Sequence, residues 1–88
     1  MKVVWTEQAW KEYVGWHRED EKVLGAINDL IAGIKRNPFK GLGKPEPLKH
    51  ALAGWCSRRI TGEHRLVYRV SGKNDNQQIE IVQCRYHY

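Results

Sequence analysis

The chain has little cysteine and no long apolar run. Its two cysteines, Cys56 and Cys84, are too few for the disulfide framework of a small secreted domain. No apolar stretch approaches the roughly 18 residues that a membrane-spanning helix requires, and the opening residues, MKVVW, lack the apolar segment of a signal peptide. We therefore expect a cytoplasmic protein that has no membrane partner.

Motifs that would indicate nucleotide or metal chemistry are missing as well. The sequence contains no Walker loop, G-x-G-x-x-G, H-E-x-x-H or C-x-x-C. What it does have is a composition that is 41% hydrophobic and 28% charged, which excludes the disordered and fibrous classes. Its 88 residues are enough for a single domain, residues 1–88, with a small core.

Positive charge is concentrated in the middle of the chain. The net charge is +5, but residues 35–69, hereafter the cationic segment, contain nine Lys and Arg and only two acids, Glu46 and Glu63. This segment carries +7 and the rest of the chain −2. A solvated basic surface is the plainer interpretation. Cations that meet phosphates release counterions, however, and the aromatic residues and histidine among these cations favour a nucleic-acid partner.

Two amphipathic helices are predicted before the cationic segment. The first follows the N-cap Thr6 and has its apolar face at i, i+3, i+4 and i+7: Trp10, Tyr13, Val14 and His17. The second begins near Asp20 and has a wide apolar stripe: Val23, Leu24, Ile27, Leu30, Ile31 and Ile34. It ends at Asn37, because the residue before a proline avoids helical dihedrals. A short link at residues 17–19 predicts that the two helices form an antiparallel hairpin. Before both helices, Lys2–Trp5 is predicted to be a strand.

The remaining sequence predicts a loop and three strands. Residues 38–47 (PFKGLGKPEP) have the proline and glycine content of a loop with a fixed shape. Residues 52–61, 64–70 and 78–86 are rich in β-branched and aromatic side chains, with turns at residues 62–63 and 71–77. The order β-α-α-β-β-β predicts an α+β fold, in which the helical pair covers one face of a twisted antiparallel sheet and leaves the other for a ligand.

Alternation along the strands assigns their residues to the two faces. Leu66, Tyr68 and Val70 point away from Arg65, Val67 and Arg69, and Arg59 shares a face with Trp55, Ser57 and Thr61. Both faces of the last strand mix polar and apolar residues, which predicts a bulge or a strong twist.

One set of polar side chains matches the needs of RNA cleavage by general acid–base catalysis. It contains Glu46 between two prolines, the pair His87 and Tyr88, and the cations Lys49, Arg59 and Arg65. Such cleavage needs a base for the 2′-hydroxyl, an acid for the departing 5′-oxygen and cations for the phosphorane. Each role contributes roughly 10²–10⁴-fold to the rate.

Taken singly, these residues have plainer interpretations. Glu46 would be a solvated loop acid and His87 part of a frayed tail, but the combination favours a catalytic role. Two more cations of the segment, Lys44 and Arg58, are predicted to contact phosphate.

Four segments carry a resemblance to a known family: GKPEPLKH (residues 43–50), SRRIT (57–61), HRLVY (64–68) and CRYHY (84–88). With Trp5 after a short strand and Asn37, Pro38 and Phe39 after the second helix, they closely resemble the YoeB toxins of the RelE/YoeB superfamily. The resemblance covers essentially the whole chain. The sequence departs from the family at Cys56, where relatives usually have an aromatic residue, and in a longer turn at residues 71–77.

The resemblance implies a RelE-like, microbial-RNase fold and an endoribonuclease toxin that cleaves mRNA in the ribosomal A site without a metal or other cofactor. By position, Glu46 would be the general base and His87 the general acid. Arg65 would stabilise the phosphate in the transition state, assisted by Lys49 and Arg59, and Tyr88 would orient the substrate or the acid. The implied partners are the ribosome, mRNA, an acidic YefM-like antitoxin and a second copy of the chain.

Two other functions are compatible with the residues alone. A non-catalytic module that binds RNA or the ribosome would use the same cations but leave Glu46 and His87 without a role. A translation extract distinguishes it from an enzyme, because only an enzyme cleaves the mRNA. A protein that acts only through a protein partner is the second alternative. Growth arrest on expression without an antitoxin, relieved by substituting Glu46 and His87, would argue against it.

Overall fold

A computed structural model describes residues 1–87. Its helices and strands are β1 (Lys2–Trp5), α1 (Glu7–Glu19), α2 (Glu21–Arg36), β2 (Glu46–Pro47), β3 (Cys56–Arg59), β4 (Arg65–Ser71) and β5 (Gln78–Gln83). Two single turns of 3₁₀ helix, His50–Leu52 and Asn74–Asn76, lie in the loops. Strand β2 is an addition to the predicted order. Strands β3 and β5 are shorter than predicted, because a 3₁₀ turn and an irregular segment replace their ends.

The two helices begin with the predicted caps. The hydroxyl of Thr6 accepts a hydrogen bond from the backbone N–H of Ala9 at 3.1 Å, and the carboxylate of Asp20 accepts from that of Lys22 at 3.0 Å. Asp20 alone joins the helices, because α1 continues through Glu19. The predicted link at residues 17–19 is therefore wrong, whereas the predicted end of α2 at Asn37 is confirmed.

Helix α1 presents a different face to the core from the predicted one. Ala9 and Trp16 are buried, whereas Trp10 is 50% exposed and His17 is exposed. Trp16 can be buried because its indole N–H donates to the carbonyl of Cys84 at 2.9 Å. The predicted packing of Trp10 and His17 is thus wrong, and the core-facing stripe of α1 lies about one residue away from it.

The five strands form one sheet in the order β1-β5-β4-β3-β2. Strands β2 to β5 pair antiparallel, but β1 runs parallel to β5, with Val3 opposite Ile79. The sheet is therefore mixed and not wholly antiparallel as predicted. The α+β class itself is confirmed.

The helical pair covers one face of the sheet. The stripe of α2 is buried against apolar residues of β4 and β5, and the main members of this core are Ile27, Leu30, Ile34, Leu66, Tyr68, Ile79 and Ile81. Each fully buried Leu or Ile contributes roughly 1.5–3 kcal/mol to folding. Residues that alternate with these core positions point to the opposite surface, hereafter the open face. Neither helix in residues 1–87 is long and apolar enough to cross a membrane.

A bulge interrupts the pairing of β4 with β5, as predicted. Tyr68 lies opposite Ile81 but Val67 lies opposite Gln83, so Val82 is the extra residue. Beyond the bulge, Cys84 returns to the core and is fully buried. The bulge therefore redirects residues 84–87, hereafter the tail, towards α1.

Candidate active site

One row of residues crosses the open face from the edge strand β2 to β5. The register pairs Glu46 with Ser57, Ser57 with Val67, and Val67 with Gln83. Paired residues share a face, and neighbouring strands lie about 4.8 Å apart. Ser57 and Val67 are buried, whereas Glu46 is exposed. The two central residues of the row, Ser57 and Val67 (hereafter the floor), are therefore buried, and a carboxylate lies at one edge of the row.

Arg59 and Arg65 form the next row, towards the hairpin that joins β3 to β4. They lie opposite each other in the register, two residues beyond the floor pair, which is roughly 6.6 Å along the strands. Arg59 is exposed and Arg65 is half-buried. One guanidinium nitrogen of Arg65 donates at 2.9–3.2 Å to three carbonyls of the hairpin, those of Thr61, Gly62 and His64. These bonds hold the Arg65 side chain against the hairpin.

The tail brings His87 to this second row. The backbone N–H of Arg65 donates to the carbonyl of Tyr86 at 3.0 Å, so the residue before His87 pairs with β4 at the arginine. His87 itself is exposed. Tyr88, which is predicted to orient the substrate or the acid, lies outside the described residues.

Two lysines flank Glu46 at the edge of the sheet. Lys44 is exposed and follows Gly43, whose carbonyl accepts from the backbone N–H of Arg59 at 2.7 Å. Lys49 is exposed and lines a shallow depression together with Glu46. Four of the predicted cations therefore lie along this edge or in the neighbouring row: Lys44, Lys49, Arg59 and Arg65.

Arg58 lies on the other side of the sheet. It is fully buried, and its guanidinium donates to the Tyr68 hydroxyl at 3.1 Å and, at 2.6–3.2 Å, to three loop carbonyls, those of Asn37, Lys40 and Leu42. Its role in the fold is to anchor the loop that leads to β2. The predicted contact between Arg58 and phosphate is inconsistent with this position, because strand alternation turns the side chain away from the open face.

A third row of the open face is neutralised within the protein. The guanidinium of Arg69 lies 4.4 Å from the centroid of the Trp55 ring and donates to the carboxylate of Glu80 at 2.7 Å. This bond, with further ones from Gln78 and Ser71, holds the pKa of the Glu80 carboxyl below its usual range. Because Glu80 compensates its charge, Arg69 is less available to a phosphate than Lys44, Lys49, Arg59 and Arg65.

The two cysteines are poor candidates for a nucleophile. Burial raises the pKa of the Cys84 thiol to about 12, and the nearby carboxylate of Glu12 adds to the effect. Burial also raises the pKa of the Cys56 thiol, and the charge of Arg58 opposes it. A thiol must ionise to attack. No group of three or more His, Cys, Asp or Glu side chains that could hold a metal ion occurs among residues 1–87.

Comparison with known proteins assigns the chain to a family. A family model described as "YoeB-like toxin of bacterial type II toxin-antitoxin system" matches residues 5–88. The chain belongs to this toxin family. The predicted resemblance to the YoeB toxins is therefore confirmed.

Curated YoeB-family proteins match the whole chain. Toxin YoeB of Escherichia coli (strain K12) is 50% identical over 88 residues, covering 100% of both chains. Toxin YoeB of Streptomyces coelicolor is 53% identical, again over 88 residues and 100% of both chains.

Solved structures of YoeB proteins also match. A structure described as a YoeB/ParE toxin from Agrobacterium tumefaciens superposes with a TM-score of 0.98 at 58% identity, covering 100% of both chains. The toxin in a heterotetrameric YoeB–YefM complex from Staphylococcus aureus gives 0.87 at 44% identity, covering 100% of this chain and 98% of that one. YafQ from E. coli, with a TM-score of 0.74 at 15% identity over 98% of this chain and 92% of that one, shares the fold alone.

Two parts of the site in this YoeB-family chain were not predicted from its sequence. Strand β2 is two residues long and includes a proline, so it leaves no periodic signal. The tail is held by side chains distant in sequence, among them Trp16 and Glu12, which bind Cys84 from 68 and 72 positions away. The CRYHY segment predicted a functional role for the tail but not which residues the tail contacts.

Proposed function

We propose that the chain is an endoribonuclease that cleaves mRNA in the ribosomal A site by general acid–base catalysis and so inhibits translation. One observation carries the proposal. A carboxylate, two arginines and the tail that carries His87 lie along the open face around a floor with two buried residues, and two lysines flank the carboxylate at the sheet edge. Membership of a toxin family supports it further.

The reaction assigns Glu46 and His87 complementary proton transfers. The Glu46 carboxylate takes the proton of the 2′-hydroxyl, and the 2′-oxygen attacks the adjacent phosphorus. The bond from phosphorus to the 5′-oxygen breaks, and the His87 imidazolium gives its proton to that oxygen. The upstream fragment then ends in a 2′,3′-cyclic phosphate. Tyr88 remains predicted to orient the substrate or the acid.

The cations around Glu46 stabilise the charge that develops on the phosphorane. Arg65 is the principal one, because its contacts with the hairpin carbonyls fix the side chain before the substrate arrives. A charge fixed in this way needs no reorganisation during the reaction, which makes it more effective in the transition state. Arg59, Lys49 and Lys44 are exposed and supply attraction to the RNA backbone.

Dependence on the ribosome follows from the geometry of the substrate. In-line attack requires the 2′-oxygen, the phosphorus and the 5′-oxygen to be nearly collinear, and flexible single-stranded RNA seldom adopts that arrangement. A ribosome supplies a held codon and a polyanionic surface on which the cationic segment can dock.

The same cations provide a means of control by a protein partner. Toxins from Staphylococcus aureus similar to this chain are described in complex with YefM and as a dimer. We infer an acidic YefM-like antitoxin for this chain, because an acidic segment that becomes ordered on binding needs strong complementary contacts. We infer a homodimer on the same comparison.

Substitution of the two proton-transfer groups tests the proposal in a translation extract. Glu46→Gln and His87→Gln should each slow cleavage of a ribosome-bound mRNA by roughly 10²–10⁴-fold, because each removes one proton transfer. Ribosome binding should be retained, because most of the cations remain. Glu63→Gln is the matched control, since Glu63 is the other acid of the cationic segment, and it should cleave at the wild-type rate.

Two results would contradict the proposal. One is a wild-type cleavage rate for Glu46→Gln or His87→Gln. The other is intact mRNA on stalled ribosomes with the unaltered protein, which would instead identify a non-catalytic ribosome-binding module.

A further inference from the structure

Polar contacts hold the tail between α1 and β4. On the side of α1, the carboxylate of Glu12 accepts from the backbone N–H of Cys84 and the indole of Trp16 donates to its carbonyl, both at 2.9 Å. Arg85 forms an ion pair with Glu19. On the side of β4, the backbone N–H of Arg65 donates to the Tyr86 carbonyl at 3.0 Å, and Nδ1 of His64 accepts from the Tyr86 N–H at 2.8 Å.

The contact to His64 falls where the backbone is strained. Tyr86 has a φ of +66°, in the left-handed region that residues other than glycine rarely occupy. Such a conformation is unfavourable and persists only where its surroundings hold it. The Tyr86 N–H and carbonyl are both held, by His64 and by Arg65, and the next residue in the chain is His87.

The ring of His64 is itself fixed in place. It meets the ring of Trp16 edge-on, with centroids 4.7 Å apart, and lies 5.9 Å from the ring of Tyr86. Its backbone carbonyl accepts from the Arg65 guanidinium at 3.1 Å. The imidazole is therefore a rigid acceptor directed at one backbone amide.

We propose that His64 is a positioning residue for His87: its unprotonated Nδ1 holds the Tyr86 amide in the left-handed conformation that directs the following residue towards the Arg65 row. The inference rests on the proposed function, because it gives His64 a role through the general acid and none in contact with RNA. His64 would thereby couple the hairpin that positions Arg65 to the tail that carries His87.

Two substitutions separate the hydrogen-bond acceptor from the rest of the side chain. In His64→Asn, the side-chain oxygen takes the approximate place of Nδ1, whereas His64→Ala has no acceptor. At pH 7.5, His64→Ala should cleave ribosome-bound mRNA about 10–100-fold more slowly than wild type with unchanged ribosome binding, because a displaced acid loses rate and not affinity. His64→Asn should stay within about threefold of wild type, because it keeps the acceptor. His17→Asn, an exposed histidine on α1, is the control.

A readout in the free protein keeps the inference separate from catalysis. By NMR, exchange of the Tyr86 amide hydrogen should be at least tenfold faster in His64→Ala than in wild type, and close to the wild-type rate in His64→Asn. Equal amide exchange in all three proteins, or equal cleavage rates for His64→Asn and His64→Ala, would overturn the role of His64. A fully active His87→Gln, with the amide effect intact, would instead overturn the proposed function and leave only the structural contact.

Discussion

Arg58 and Arg59 are adjacent in sequence but lie on opposite faces of β3. Arg58 is fully buried and bound to loop carbonyls, whereas Arg59 is exposed beside Glu46. In sequence both belong to one basic run, and only the phase of the strand separates a structural arginine from one that can meet RNA.

Substituting the two arginines in turn should therefore affect different properties: stability for Arg58 and the cleavage rate for Arg59. Arg58→Met leaves three partly buried carbonyls and the Tyr68 hydroxyl without this donor, and should lower the free energy of unfolding by about 3 kcal/mol. Arg59→Met should change it by less than about 0.5 kcal/mol but slow cleavage of ribosome-bound mRNA. Urea unfolding and a cleavage assay measure the two quantities. Equal losses of stability for both variants would contradict the assignment, and Arg58→Lys serves if Arg58→Met does not fold.

The two cysteines should differ in reactivity. A pKa of about 12 for Cys84, against an ordinary value of 9.0, leaves roughly 10³-fold less thiolate at pH 8. Iodoacetamide should therefore label Cys56 first in the native protein, and the single-thiol variant Cys56→Ser should be labelled only as fast as it unfolds. Similar labelling rates for the two thiols, followed by mass spectrometry, would contradict this.

The raised pKa of Cys84 also sets a direction for stability against pH. The folded state keeps the thiol protonated above pH 9, where the unfolded chain ionises. The native state then binds more protons, so the free energy of unfolding should fall as the pH rises above about 9 and be unaffected by Cys84 below it. Cys84→Ala should lack this part of the alkaline decline in urea-unfolding measurements.

At the scale of elements, the loop between α2 and β2 depends on close packing at Gly43. A Cβ atom there would lie 2.7 Å from Cδ2 of Leu30 and 3.0 Å from Cβ of Arg58, and the residue has a φ of +85°. Gly25 in α2 is the opposite case, because nothing lies within 4 Å of a Cβ placed there.

The two glycines form a matched pair for measurement. Gly43→Ala should lower the free energy of unfolding by about 2–4 kcal/mol, through steric overlap and left-handed strain. Gly25→Ala should raise it by roughly 0.5–1 kcal/mol, because alanine favours a helix interior. Urea unfolding of both proteins checks the signs, and a destabilised Gly25→Ala or an unaffected Gly43→Ala would contradict the packing described.

The elements also show where prediction from sequence succeeds. Caps and periodic stripes are local signals, so β1, α2, the cap at Thr6 and the bulge in β5 were predictable. The parallel pairing of β1 with β5 was not, because it joins segments more than 70 residues apart. The face of α1 was misjudged because Trp16 finds its hydrogen-bond partner in the tail, a contact without local signal.

At the scale of the whole molecule, the fold holds Glu46 and His87 at the two sides of one cationic surface. The edge strand β2 carries the carboxylate, the bulge and tail carry the histidine, and Arg59 and Arg65 lie between them. Sequence and family resemblance predict the identities of these residues. The register that aligns Glu46 with Ser57, Val67 and Gln83 came from the structure.

Under the proposed function, Glu46 and His87 perform opposite proton transfers on one phosphodiester. A ribosome-bound mRNA in which sulfur replaces the 5′-oxygen at the cleaved linkage tests it directly, because a departing thiolate needs no proton from an acid. We predict that this substrate restores cleavage by His87→Gln to near the wild-type rate and leaves Glu46→Gln slow. Equal restoration of both variants, or of neither, would contradict the assignment of base and acid.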